Sequence, residues 1–153
     1  DAGDSKSPAA RRAGSIPAPG TSSSMIKQAH PPQPDRASGH GQGAHELLVN
    51  LNRYAATFDL MLSAWRDRSI YDSVKEELAG VAAGQKEFFP EAGVAMMGLT
   101  IAHSDVAAVL LDMGIAQERG KNSRFSQADL AARQQHHAQA VEELRSYILR
   151  KTH

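Results

Sequence analysis

From Ala44 to the end of the chain the apolar residues recur at alternating four- and three-residue spacings, in four successive runs, and no stretch shows the two-residue alternation of a strand. A period near 3.6 gathers such residues on one side of a helix. Leu47, Leu51, Tyr54, Phe58, Met61 and Trp65 form the first stripe, with Asn50, Asn52, Arg53 and Thr57 on the opposite face. Tyr71, Val74, Leu78, Val81, Gln85 and Phe88 form the second. The third helix offers Val94, Met97, Ile101, Ser104, Ala108, Leu111 and Ile115 as its core seam, and the fourth offers Leu130, Gln134, His137, Val141, Leu144 and Ile148. Ser69 with Asp72, and Ser126 with Asp129, have capping-box spacing, and Pro90 suits the first turn of a helix.

Four stripes joined by short connections predict an all-α, antiparallel up-down-up-down four-helix bundle. The helices are expected at about 44–67, 70–88, 90–117 and 127–151, making 44–153 one domain. Residues 1–43 differ sharply in composition: they hold six of the seven prolines, six of the twelve glycines and no Phe, Trp or Tyr. Such a stretch buries too little apolar surface to offset its ordering entropy, so a disordered N-terminal tail or linker is expected there.

Composition also bounds function. Seventeen Lys and Arg balance seventeen Asp and Glu, so the molecule lacks the overall positive field of a nucleic-acid binder, and no nucleic-acid partner is expected. The absence of cysteine excludes disulfides, thiolate metal sites and a cysteine nucleophile. His103, Asp105 and Asp112 interrupt the longest apolar run, "GVAMMGLTIAHSDVAAVLLDMGIA", which argues against a transmembrane segment. A first residue of Asp in place of Met fits a processed or excerpted chain, a soluble secreted or periplasmic protein among them.

Three groups of residues carry candidate functions. Beyond its seam the third helix is apolar nearly all round, and a helix of that kind is buried on more than one side. Either the helix occupies the middle of the domain, or Met96, Leu99, Val106, Val109, Leu110 and Met113 meet a protein partner or a second copy of the chain, and the interface is the leading expectation. The first and third connections share one end of the predicted bundle, which gathers Trp65, Arg66 and Arg68 with Arg119, Lys121, Arg124 and Phe125. A positive tip flanked by aromatic rings suits an anionic phospholipid surface or an acidic partner segment.

The third group is the trio His103, Ser104 and Asp105. Consecutive helical residues fan out by about a hundred degrees, so these three form no catalytic relay among themselves, and no glycine-rich oxyanion loop accompanies them. The helix midpoints place His103 level with His137 and Asp59, a set that suits a divalent metal. The competing reading makes Gln85, Ser104, Gln134 and His137 hydrogen-bonded polar positions that fix helix register, with His103 turned outward. Neither Glu-x-x-His nor His-Glu-x-x-His occurs, which favours the register reading and no cofactor. The sequence thus leads to a non-enzymatic helical interaction module, with lipid binding at the tip and a metal or small-ligand site as alternatives.

Overall fold

In the computed structural model, which describes residues 36–153, four α-helices follow one another: α1 (Arg36–Ser63), α2 (Arg68–Phe88), α3 (Gly93–Glu118) and α4 (Gln127–Thr152). A 3-10 turn, Pro90–Ala92, leads into α3. Among the described residues there is no strand, and the fold is the all-α four-helix arrangement that the stripes predict.

Local chemistry sets most helix ends. Asp67, in extended conformation, caps α2 by accepting from the backbone N–H of Ser69 at 3.0 Å and its hydroxyl at 2.6 Å. The cap is therefore Asp67, and the Ser69 and Asp72 pair does not provide it: an extended residue must precede the first helical turn, and Ser69 already lies inside the helix. Ser126 and Asp129 do form the capping box at the start of α4. The end of α3 is a Schellman turn. Gly120 takes φ +61°, its N–H bonds the carbonyl of Gln117, and the N–H of Lys121 reaches the carbonyl of Ala116.

The start of α1 departs from expectation. It begins at Arg36, eight positions before Ala44, and residues 1–35 of the expected tail lie outside the described residues. Glycine weakens a helix by about 1 kcal/mol per residue without forbidding it. At Gly43 the missing side chain is useful, because an added Cβ would lie 2.5 Å from the Phe88 ring. Gly43 and Ala44 are buried at that point, against the end of α2.

Packing is closest within the sequential pairs α1/α2 and α3/α4, and sparser between α1 and α4 and between α2 and α3. Each helix thus has two neighbours, with α1 diagonal to α3. The core takes Leu47, Leu51, Tyr54, Phe58 and Met61 from α1, and Val74, Leu78 and Val81 from α2. α4 adds Leu130, Val141, Leu144 and Ile148. Three of the four expected stripes therefore face inward. α3 is the exception, and its orientation determines the surface of the molecule.

Candidate interaction surfaces

The polar centre of the bundle is a three-ring cluster. Tyr54, fully buried on α1, places its hydroxyl 2.7 Å from His137 Nε2 on α4 and 3.2 Å from His103 Nδ1 on α3. A phenol has one proton. Tyr54 Oη can therefore donate to only one of the two imidazoles and accepts from the other, the roles being set by the histidine tautomers. Phe58, one turn along α1, stacks on the His137 ring at 3.5 Å between centroids and 10° between planes. Burial raises the Tyr54 phenol well above its ordinary range. Burial first, then the nearby imidazoles of His103 and His136, lowers His137 from 6.5 to about 4, and burial alone lowers His103. The cluster is neutral and hydrogen-bonded at pH 7.

This arrangement revises the metal reading. His103 turns inward, as the metal reading requires, but Asp59 is exposed, one residue beyond Phe58 and rotated away from the cluster. Tyr54 occupies the place given to the carboxylate, and among the described residues no three His, Cys, Asp or Glu side chains converge. Ser104 leaves the register set as well, since it is exposed and donates to the Thr100 carbonyl of its own helix. Gln85 stays in it, buried and donating to the Phe89 carbonyl at 2.7 Å.

α3 presents the reverse of the expected face. Met96, Leu99, Val106, Val109 and Leu110 are buried in the core and Met113 is half-buried against it, so these six do not form an exposed partner surface. The expected core seam is outside instead: Val94, Met97, Ile101, Leu111 and Ile115 are between 41% and 84% exposed. Both faces of α3 carry the same spacing, so periodicity alone cannot separate them. Two signals do. His103 lies on the inner face and needs buried partners, which Tyr54 supplies, and Asp105 and Asp112, seven residues apart, border the outer face.

By length and composition, Pro90–Glu118 is the one helix among the described residues apolar enough to cross a membrane. Only 33% of its most apolar window is buried.

The basic tip divides into two groups. Arg124 is committed to Asp112, through its side chain at 2.9 Å and its backbone N–H at 3.1 Å, while Ser123 donates to the same carboxylate at 2.8 Å. These hydrogen bonds, led by that of Ser123, hold the Asp112 carboxyl below its usual range. Phe125 is half-buried with the guanidinium groups of Arg124 and Arg133 over its ring.

The second group lies at the α1–α2 connection. Trp65 packs over Gly114 of α3, where an added Cβ would meet its ring at 3.1 Å. Tyr71 fixes this turn by donating its hydroxyl to the Trp65 carbonyl at 3.0 Å. Arg66 lies over the indole at 5.1 Å, and Arg68 is 3.9 Å from Glu118. Between this turn and the end of α3 is a cleft of about 280 Å³. Arg119 and Lys121 are exposed and form no ion pair among the described residues.

Comparison with known proteins gives no matching family model, no matching curated protein and no matching solved structure.

Proposed function

We propose that the chain is a non-enzymatic helical interaction module that binds an apolar helix, of a partner protein or of a second copy, along the outer face of α3. The observation that carries this reading is the exposed stripe Val94, Met97, Ile101, Leu111 and Ile115. Its three- and four-residue spacing is that of a coiled-coil seam, continued through the small residues Ser104 and Ala108, where another backbone can approach closely. Burying one such aliphatic side chain completely contributes about 1.5–3 kcal/mol. With the stripe a little over half exposed on average, covering all five recovers roughly 6 kcal/mol, and about twice that when two stripes face each other. Association costs of about 4 kcal/mol upward offset much of this, so binding is reversible and concentration-dependent.

The test compares Ile101→Asp with Leu110→Asp in the full chain, by light scattering over a range of concentration and by circular dichroism. Ile101→Asp is expected to remain helical and to lose any self-association seen in the parent chain. Leu110→Asp places a charge in the core and is expected to unfold. A parent that is monomeric throughout turns the search to partner helices, with Ile101→Asp as the negative control. If Ile101→Asp binds every ligand helix or second copy as well as the parent does, the outer face is not the interface.

A further inference from the structure

We infer that the cleft between the α1–α2 connection and the end of α3 binds a small amphipathic anion, a carboxylate or phosphate group carrying an apolar tail. The inference does not rest on the interaction-module reading, although Leu111 and Ile115 belong to both surfaces. The lining is mixed, combining the apolar surfaces of Trp65, Tyr71, Leu111 and Ile115 with the charged side chains of Arg66 and Arg68. Several observations show that the cleft is held in shape. Gly114 leaves room for the Trp65 ring, and Tyr71 ties the turn through its hydrogen bond to the Trp65 carbonyl.

The donors are available. Arg66 lies over the indole face and forms no ion pair among the described residues, and Arg68 has one long and largely exposed contact with Glu118. A planar guanidinium forms paired, charge-assisted hydrogen bonds to carboxylate or phosphate oxygens. Glu118 is the one acid at the rim, and an incoming anion displaces its weak contact with Arg68. The volume, about 280 Å³, is at the lower end for small-molecule sites, which suits a medium-length chain and excludes a bulky ligand.

The protein carries its own reporter, because Trp65 is the one tryptophan in the chain. The experiment titrates the full chain at fixed concentration with decanoate, decanol, inorganic phosphate and phosphatidylglycerol vesicles, and follows the tryptophan emission. Decanoate is expected to give a saturable shift, with decanol and phosphate at least roughly tenfold weaker, because each lacks one half of the recognition. The double variant Arg66→Gln with Arg68→Gln, at two exposed positions, is expected to keep its helicity and to weaken decanoate by roughly tenfold or more. Equal binding of decanol, an unaffected double variant or no saturable shift overturns the inference. A shift with vesicles and none with decanoate also overturns it, in favour of a membrane surface.

Discussion

Tyr54 is held by two imidazoles, and this has a consequence for acid stability. His137 titrates near 6.5 when unfolded and near 4 when folded, so between those values the unfolded chain binds more protons. Stability is therefore complete above about pH 6.5 and is lost as pH falls toward 4. The linkage amounts to about 3 kcal/mol by pH 4. His103, lowered by its own burial, adds a loss of the same sign. Urea unfolding at pH 7, 5.5 and 4 checks this, with His137→Gln expected to be less stable at pH 7 and to show a flatter pH dependence. A parent whose midpoint is constant from pH 7 to 4 would show that the cluster is protonated or hydrated in the fold.

At the scale of single helices, two glycines in the same bundle separate propensity from packing. Gly80 lies exposed within α2, and a Cβ there meets nothing within 4 Å. Gly80→Ala is expected to stabilise by about 0.5–1 kcal/mol, the ordinary helix-propensity gain. Gly43→Ala drives a methyl group into the Phe88 ring, and the displacement is expected to cancel or reverse that gain. Thermal melts of both variants decide it; equal stabilisation would mean that Phe88 moves aside freely.

The same scale shows how far the sequence is legible. Stripes on α1, α2 and α4 have one apolar and one polar face, so their orientation can be read directly. α3 has two apolar faces, and choosing between them needs the pairing of His103 with Tyr54, a contact between residues 49 positions apart. The tip was legible only in part. Shared loop geometry brings Arg68 to Glu118, but the capture of Arg124 by Asp112 depends on an eleven-to-twelve-residue return across the Schellman turn. Asp59 was misplaced for a simpler reason, since level height along a bundle says nothing of rotation about the helix axis.

For the whole molecule, closer packing within each sequential pair than between pairs predicts uneven protection. α1 and α4 are joined across the bundle by the Tyr54 to His137 bond and by Arg145, which reaches Asn52 at 2.9 Å and also pairs with Glu142. Their central amides are expected to exchange slowest. Amides of α2 and α3 along their mutual seam, the sparsest in the bundle, are expected to exchange roughly tenfold faster or more, by local opening there. Exchange measured by mass spectrometry on peptic fragments tests this, and equal protection of all four helices would show a single cooperative unit.

The antiparallel order in which Asn52 meets Arg145 and Tyr54 meets His137 has a practical corollary. The beginning of α1 and the end of α4 share one end of the bundle, and the Trp65 turn occupies the other, about 39 Å away along the 26 residues of α4. Within the bundle, attachment to a sensor chip through His153 would therefore put the point of attachment at the end opposite the cleft.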